Sequence, residues 1–357
     1  MSYIHSIATA VPEFAYQQSE IGEFISNYMQ ADQALRRKLK VLYKRSAIDK
    51  RHSVVPDFRS SGKSHHLFNG KQAGITERMG LFQREAPKLA LEAASDCLSN
   101  CDKTPSHLIT VSCTGLSAPG LEIQLMQDLG LKEDTVRLGV NFMGCYAAFH
   151  AMKIADAICR ANEDANVLIV CVELCSIHFL TNPNEDNLRA NALFADGAAA
   201  LLISGSKRVN QPNWRPVSFY NALMPNGAKD MAWRIGEKAF EMRLTSYIPD
   251  LVREGIAPLI EGNLRKLNLK LNAIDEWAIH PGGKSILKAV QEVLELDDPA
   301  LRHSAYVLKN FGNMSSPTVL FVLKEIWENS SLPSGSHIFS AGFGPGLSLE
   351  SCLIAVE

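Results

Sequence analysis

The segment Val140-Asn141-Phe142-Met143-Gly144-Cys145-Tyr146-Ala147-Ala148-Phe149 decides the predicted fold. The residues before Cys145 are typical of a strand that ends in a tight glycine turn. Residues 146–161 carry Ala, Met and Ile at helical spacing. We therefore expect Cys145 at the start of a buried helix, whose N-terminal partial positive charge favours the thiolate. A small cysteine packed in the core is an equally good interpretation of this segment alone.

Composition limits the class of protein. The chain has 357 residues, of which 46% are hydrophobic, and a formal net charge of -2. This length holds either two domains or one large double-layered domain. The near-neutral charge gives no reason to expect a nucleic-acid partner. No apolar run reaches the roughly 18 residues that a membrane span needs, and the N-terminus lacks the layout of a signal peptide.

The eight cysteines are typical of a reduced, intracellular protein. Most of them lie inside apolar runs rather than at the spacings of a disulfide framework. Cys97 and Cys101 are four residues apart, without a second Cys or His pair at zinc-like spacing, so the sequence predicts no metal site. We expect a cytoplasmic protein.

Helical and strand patterns alternate along the chain, which predicts an α/β fold. Continuous apolar runs suit strands that are buried on both faces. The polar residues 60–74 predict a surface loop, and residues 211–216 predict the connection between two halves. The predicted strands are residues 108–113, 167–172, 198–204, 276–280, 336–341 and 348–356, and the predicted helices are residues 83–99, 121–129, 146–162, 285–296 and 315–328.

A glycine-containing loop begins the last predicted strand of each half, within residues 196–203 and 346–354. This similarity is a weak sign of internal duplication. We predict an N-terminal half of residues 1–210, which carries Cys145, and a C-terminal half of residues 211–357.

A nucleophilic cysteine needs a base and a donor for the developing oxyanion. His280 ends a predicted strand before a Pro-Gly-Gly turn, so we expect it to project into a cleft; a lone histidine is more often satisfied by a backbone carbonyl in a core or loop. Asn313 follows a glycine and precedes a helix, where its amide either faces a cleft or caps the helix. The segment Ala341-Gly342-Phe343-Gly344-Pro345-Gly346 suits close backbone approach to a ligand or a tight turn.

With these motifs the chain resembles the type III polyketide synthases, the chalcone synthase-like branch of the thiolase superfamily. The resemblance covers essentially the whole chain. It implies a duplicated, thiolase-like αβαβα layered fold with two mixed central sheets, and a homodimer. Its most specific motifs are Gly144-Cys145, Ala192-Leu193-Phe194-Ala195-Asp196-Gly197-Ala198-Ala199, Ile279-His280-Pro281-Gly282-Gly283, Gly312-Asn313-Met314-Ser315-Ser316 and Gly342-Phe343-Gly344-Pro345-Gly346.

The resemblance also implies a role for each site residue. Cys145 takes the acyl starter from CoA as a thioester, and His280 pairs with it as an ion pair. His280 and Asn313 then hold the thioester oxygen and the enolate that malonyl-CoA forms when it loses carbon dioxide. Phe194 matches a gatekeeping phenylalanine at the mouth of the acyl cavity. Acyl-CoA and malonyl-CoA are substrates, and no cofactor is implied; the cavity wall where cyclisation occurs includes Gly342, Phe343, Gly344 and Pro345.

A dense basic run at residues 36–51 is the expected contact for the CoA phosphates. Lys38 and Arg45 align with basic CoA-binding positions of the family. Lys284, just after the His280 loop, is a further candidate. A solvated helix face is the usual interpretation of such a run.

The cavity positions depart from the plant pattern and resemble bacterial members. Met242 stands where plant enzymes carry a second gatekeeping phenylalanine, and Trp233 aligns near a small lining glycine. Two product classes stay open: a long acyl starter with pyrone or resorcinol products, and a short or malonyl-only starter that gives a small phenolic of the phloroglucinol type. The remaining cavity candidates are Cys113, Thr114, Cys175, His178 and Ser315, and Ala118 stands where a methionine crosses the dimer interface in the family.

Other functions fit the same residues. One is a ketoacyl synthase-like condensing enzyme that uses an acyl carrier protein. A second is a Cys-His-Asn hydrolase that cleaves thioesters or amides. A third is a non-catalytic ligand-binding relative, against which the joint presence of Cys145, His280 and Asn313 argues.

Overall fold

The computed structural model describes residues 1–59, 67–68, 73–209 and 211–357. Its strands are β1 (Tyr3–Ala10), β2 (Phe14–Gln17), β3 (Lys50–Ser53), β4 (His107–Ser112), β5 (Val136–Asn141), β6 (Asn166–Leu174), β7 (Asp196–Ser204), β8 (Trp214–Leu223), β9 (Met231–Ile235), β10 (Phe240–Leu244), β11 (Glu276–Ile279), β12 (His337–Gly344) and β13 (Ser348–Val356). Its helices are α1 (Gln18–Tyr28), α2 (Gln33–Arg45), α3 (Ile75–Ser99), α4 (Leu121–Asp128), α5 (Ala147–Ala161), α6 (Glu185–Leu193), α7 (Ile248–Arg265), α8 (Lys284–Val293), α9 (Arg302–Phe311) and α10 (Thr318–Asn329).

The sheet topology repeats itself in the two halves. The main sheet has the strand order β11-β12-β13-β8-β1-β7-β6-β4-β5. In the N-terminal half, β1 is antiparallel to β7, β7 is antiparallel to β6, and β6 is parallel to β4. In the C-terminal half, β8, β13, β12 and β11 repeat this order and these directions. The two mixed sheets meet edge to edge where Ile4 of β1 pairs with Trp214 of β8.

Five layers result because alternate side chains of a strand point to opposite faces. In β6, Leu168 packs towards α3, whereas Ile169 packs towards α5 and α10. In β12, Ile338 faces that same central helix layer, whereas Phe339 faces α7 and α8. The order of layers is therefore helix, sheet, central helices, sheet and helices, and the predicted duplicated αβαβα fold is confirmed.

The elements predicted from apolar periodicity are present, with shifted ends. Helix α3 begins at Ile75 rather than at 83, because the Glu77 carboxylate accepts a hydrogen bond from the Gly74 N–H at 2.7 Å and caps the first turn. Helix α10 begins at Thr318 rather than at 315, because Ser315 has a φ of +60° and cannot continue a helix.

Two loop predictions need correction. The prediction of a connection at residues 211–216 is wrong beyond residue 213, because β8 begins at Trp214 and pairs with β13. The surface loop at 60–74 falls mostly on residues 60–66 and 69–72, outside the described residues, but Leu67 and Phe68 within it are buried in the core. The boundary between halves at 210/211 stays a prediction. Among the described residues, no helix is both long and apolar enough to cross a membrane.

Candidate active site

One cavity of about 500 Å³ lies where the strand ends of both halves meet. Cys113 follows β4, Cys145 follows β5 and Cys175 follows β6, and all three line the cavity. His280 follows β11, and Phe343 lies near the end of β12. Because the carboxyl ends of parallel strands lie along one edge of a sheet, this topology gathers residues that are far apart in sequence.

Cys145 lies two residues before helix α5, whose N-cap is Tyr146, so the start of the helix is one residue later than the sequence predicted. Phe142 and Gly144 have positive φ values of 60° and 82°, which turn the chain sharply after β5. The Ala147 N–H donates to the Gly144 carbonyl at 3.0 Å and opens the first turn of the helix. A Cβ on Gly144 would overlap the Pro345 ring, so the glycine also lets the loop after β12 pack against the cysteine.

The Cys145 thiol is neutral in this arrangement. Its side chain is buried, which raises the pKa of Cys145 to about 12, and the nearby Glu173 charge acts in the same direction. Hydrogen bonds from Ser315 and Asn313 lower the pKa but do not offset burial. The N-terminal position of the residue therefore does not by itself produce a thiolate.

His280 is buried as well, and burial lowers its pKa to about 3. Its backbone N–H donates to the Ala341 carbonyl at 2.8 Å, which continues the β11–β12 ladder for one residue. Within the described residues, neither ring nitrogen has a hydrogen-bond partner. Both pKa shifts favour the neutral forms, so they disfavour the Cys145–His280 ion pair expected from the resemblance. The neutral ring is available to a ligand.

Asn313 connects the cysteine side of the cavity to the histidine loop. Its Nδ2 donates to the Gly282 carbonyl at 3.4 Å, and its Oδ1 accepts from the Ser315 N–H at 2.8 Å. Asn313 is not the cap of α10, which begins five residues later with Pro317 at the N-cap position. Of the two sequence interpretations of this residue, the cleft-facing one is correct.

Most of the predicted cavity residues do lie on the cavity wall. Three do not: Lys38, Gly342 and Gly344. A Cβ on Gly342 would lie 2.7 Å from the Phe149 ring, and one on Gly344 would overlap the Tyr146 ring. These glycines therefore allow close packing against α5 rather than contact with a ligand. The predicted residues that line the cavity are Arg45, Cys113, Thr114, Cys145, Cys175, His178, Phe194, Trp233, Met242, His280, Lys284, Asn313, Ser315, Phe343 and Pro345.

The β9–β10 hairpin closes one side of the cavity. Its Trp233 indole N–H donates to the Cys113 carbonyl at 2.7 Å. His178 stacks on Phe240, with ring centroids 4.4 Å apart, and the Trp233 ring meets His178 edge-on. Met242 pairs with Trp233 across the hairpin. The departures from the plant pattern therefore form one connected wall.

Basic side chains line the same cavity. Arg45 and Lys284 have no ion-pair partner among the described residues, whereas Lys38 pairs with Glu185 outside the cavity. Arg189 and Lys288 also line the cavity and were missed from the sequence. Each has a glutamate four residues away, a spacing that is typical of a solvated helix face and gives no sign of a position on the cavity wall.

Glu173 is a further residue that sequence reasoning missed. It is fully buried at the end of β6, and its carboxylate accepts from the Cys113 N–H at 2.9 Å, the Thr114 hydroxyl at 2.8 Å and the Ser316 hydroxyl at 2.7 Å. Burial raises the pKa of Glu173 in spite of these donors. The sequence offered one sign of this residue, a carboxylate directly after the apolar run 167–172. A carboxylate buried at the end of such a strand needs hydrogen-bond partners, so it indicates a polar site there.

Family models match nearly all of the chain. Residues 1–207 match a model described as the N-terminal domain of chalcone and stilbene synthases, and residues 217–356 match the corresponding C-terminal domain. Fold and cavity together define a condensing enzyme of the acyltransferase class. The chain belongs to the chalcone and stilbene synthase family, the type III polyketide synthases.

Individual relatives agree with this assignment. The chain is 31% identical to "Probable polyketide synthase 1" of Dictyostelium discoideum, over 99% of this chain and 11% of that protein. It is 28% identical to "Alpha-pyrone synthesis polyketide synthase-like Pks18" of Mycobacterium tuberculosis, over 100% of this chain and 91% of that protein.

Two solved structures share the fold. PKS-I from the brown alga Ectocarpus siliculosus superposes with a TM-score of 0.93 at 28% identity, over 99% of this chain and 98% of that chain. The C-terminal type III polyketide synthase domain of Steely1 from Dictyostelium superposes with a TM-score of 0.91 at 30% identity, over 99% of each chain.

Proposed function

We propose that this chain holds an acyl starter as a thioester on Cys145 and extends it repeatedly with malonyl-CoA. The observation that carries this proposal is the convergence of Cys145, His280 and Asn313 on one mostly apolar cavity. The three residues supply a nucleophile, a base and a carboxamide donor, as acyl transfer requires.

The first step loads the starter. The Cys145 sulfur attacks the acyl-CoA carbonyl carbon, and the thiol proton passes to the neutral His280 ring. The CoA thiolate leaves and takes that proton. Because both groups are neutral before substrate binds, we propose that charge separates only during the attack, when Asn313 stabilises the developing oxyanion.

The second step extends the chain. Malonyl-CoA loses carbon dioxide, and the electron pair of the broken carbon–carbon bond forms an enolate. His280 and Asn313 hold the enolate oxygen in a site with little water. The enolate carbon attacks the thioester carbon, and the Cys145 thiolate leaves. CoA thioesters are the substrates, and the reaction needs no metal or redox cofactor.

Replacement of the nucleophile tests the mechanism. With an acyl-CoA and malonyl-CoA, Cys145→Ala should form no acyl-enzyme adduct by intact-protein mass spectrometry and release no extended product. Cys101→Ala, a half-buried thiol outside the cavity, is the matched control and should behave as the parent. Undiminished product from Cys145→Ala would overturn the proposal. Thioester cleavage without carbon dioxide release would favour a hydrolase, and a requirement for an acyl carrier protein would favour a ketoacyl synthase-like enzyme.

We propose that Arg45 and Lys284, together with Arg189 and Lys288, contact the CoA phosphates. Support comes from their place on the cavity wall and from the absence of ion-pair partners for the first two within the described residues. Arg45→Glu and Lys284→Glu should raise the KM for malonyl-CoA, and the exposed Lys132→Glu should not. Lys38→Glu should have a smaller effect than Arg45→Glu, because Lys38 already pairs with Glu185.

We propose an aliphatic acyl starter and an α-pyrone product. The mostly apolar wall supports an aliphatic chain, and a mycobacterial relative is named for α-pyrone synthesis. Acyl-CoAs of graded chain length, followed by mass spectrometry of the products, test this. A preference for short starters, or a resorcinol or phloroglucinol-type product, would contradict it.

We propose that the active form is a homodimer. Strand β5 lies at the edge of the sheet, and its Val136 and Leu138 are exposed, as is Leu116 on the loop after β4. An exposed apolar sheet edge favours pairing with a second copy. Light scattering should give the mass of a dimer, and Val136→Lys combined with Leu138→Lys should shift it towards the monomer. A monomeric, fully active parent would contradict this proposal.

A further inference from the structure

Arg51 is a buried cation without a carboxylate partner. Its side chain is 1% exposed, and within the described residues it forms no ion pair. Burial lowers its pKa. Removing a charge from water is costly, and Nη2 of this guanidinium has no hydrogen-bond partner among the described residues. The contacts of Nε and Nη1 therefore indicate what the residue does.

The guanidinium binds the end of helix α6. Its Nη1 donates to the carbonyls of Asn191 at 2.8 Å and Phe194 at 2.6 Å, and its Nε donates to Gln18 Oε1 at 2.8 Å. The carbonyls at the C-terminus of a helix have no partner within the helix and carry a partial negative charge. Arg51 thus holds the backbone at the point where α6 passes into Phe194.

That same backbone is joined to Asn313. The Asn313 N–H donates to the Leu193 carbonyl at 3.0 Å, and the Ala195 N–H donates to the Asn313 carbonyl at 2.8 Å. Phe194 and Asn313 therefore form a short parallel bridge between the two halves of the chain. The Phe194 end of this bridge is the end whose carbonyl accepts a hydrogen bond from Arg51.

The methylene groups of Arg51 pack next to Gly312, at the Asn313 end of the bridge. A Cβ on Gly312, the residue before Asn313, would lie 2.9 Å from both Cγ and Cδ of Arg51. Gly312 has a φ of +73°, so the backbone turns into Asn313 directly against this stem. One side chain that lies outside the cavity lining therefore contacts both strands of the bridge.

We propose that Arg51 is a positioning residue that sets the direction of the Asn313 carboxamide through the Phe194–Asn313 bridge. The proposal rests on the proposed function. In loading, Asn313 stabilises only the transient oxyanion while His280 takes the thiol proton, whereas in decarboxylation Asn313 holds the enolate oxygen until the enolate carbon attacks. Loss of Arg51 should therefore slow decarboxylation much more than loading, because a displacement of about 1 Å costs on the order of 100-fold in rate.

The test compares two partial reactions in the full-length protein. Arg51→Lys keeps the charge and most of the stem, but one ammonium cannot serve Gln18 and both carbonyls in the plane of a guanidinium. Acyl loading is followed by intact-protein mass, and decarboxylation by release of carbon dioxide from labelled malonyl-CoA. We expect the ratio of decarboxylation rate to loading rate to fall at least about tenfold.

A second buried arginine provides the control. Arg78 is also 1% exposed and donates to backbone carbonyls, those of Ile177 and Phe179, but not to the bridge. Arg78→Lys should lower stability and leave the ratio of the two rates unchanged. If Arg51→Lys does not fold, Gln18→Leu, which removes the acceptor of Nε, decides the question with the same readout.

Each outcome bears on one proposal. Parallel loss of both rates, or no loss, in a folded Arg51 or Gln18 variant would overturn the role of Arg51. Absence of acyl loading and of carbon dioxide release in the parent protein would instead overturn the proposed function.

Discussion

The Nε2 atom of His178 lies 2.7 Å from the Thr114 carbonyl oxygen at the cavity wall, and the same ring joins the two halves of the chain through Phe240. The Phe240 N–H donates to Nδ1 of the same ring at 3.0 Å. Nδ1 is therefore the acceptor, and the protonated Nε2 donates a hydrogen bond to the Thr114 carbonyl. Burial lowers the pKa of His178 to about 3, so the ring stays neutral at physiological pH.

His178→Leu should release the β9–β10 hairpin. The Thr114 carbonyl and the Phe240 N–H would lose their partner, at a cost of about 1–3 kcal/mol for each buried unpaired group. We expect a lower unfolding midpoint, faster hydrogen exchange in β9 and β10, and a broader range of product lengths. His178→Gln, which keeps one donor and one acceptor, should be milder. Unchanged exchange in His178→Leu would contradict the joining role of the ring.

Gly144→Ala should impair the active site more than Gly346→Ala. Both glycines have positive φ, at 82° and 78°, so alanine is strained to a similar extent at each. Only at residue 144 would the new Cβ also overlap Pro345, whereas nothing lies within 4 Å at residue 346. The difference between the variants in acyl loading of Cys145 isolates the steric effect. Equal losses would show that backbone strain alone is responsible.

Glu173→Gln should lower the pKa of Cys145. Burial is the largest cause of the raised thiol pKa, and the Glu173 charge adds to it. Removal of that negative charge stabilises the thiolate. We therefore expect faster alkylation of Cys145 by iodoacetamide at pH 8, with the midpoint of the pH–rate profile moved to lower pH. Glu325→Gln, at a residue outside the cavity lining, is the control. An unmoved midpoint would contradict the electrostatic link.

Asp196 should make stability depend on pH between about 4 and 6. Burial raises its pKa from 3.8 to about 6. The folded state then binds more protons than the unfolded state in this window, so the free energy of unfolding falls as pH rises through it. The difference corresponds to about 3 kcal/mol. Urea unfolding at several pH values should show this slope.

In Asp196→Asn that slope should be absent, although the variant is less stable at every pH. An asparagine cannot accept from both the Ser176 N–H and the Val54 N–H, which now bind the two carboxylate oxygens at 2.7 and 2.8 Å. The exposed Asp128→Asn should keep the slope of the parent. A parent protein without the slope would show that Asp196 is not the titrating group.

Local patterns predicted the strands that are buried on both faces, because a short continuous apolar run such as residues 167–172 is typical of such a strand. The same patterns missed β8, β9 and β10. Strand β8 alternates between buried and half-exposed positions, and most of the β9–β10 hairpin is only partly covered. Arg51 was predicted only as part of a basic run for CoA, because the sequence does not show which charged side chains are enclosed by elements that are distant in sequence.

The sequence by itself determined the family, the layered α/β fold and the placing of Cys145, His280 and Asn313 at strand ends and turns. The α/β alternation and the placing of these residues follow from glycine and proline geometry and from hydrophobic periodicity, which act over a few residues, whereas the family and the layering were implied by the resemblance of the motifs. Only the tertiary structure showed that burial raises the pKa of Cys145 and lowers the pKa of His280, which disfavours an ion pair between them. It also decided the contacts of His178 with Thr114, of Trp233 with Cys113 and of Arg51 with Phe194, because each joins residues more than 60 positions apart whose proximity no local pattern encodes.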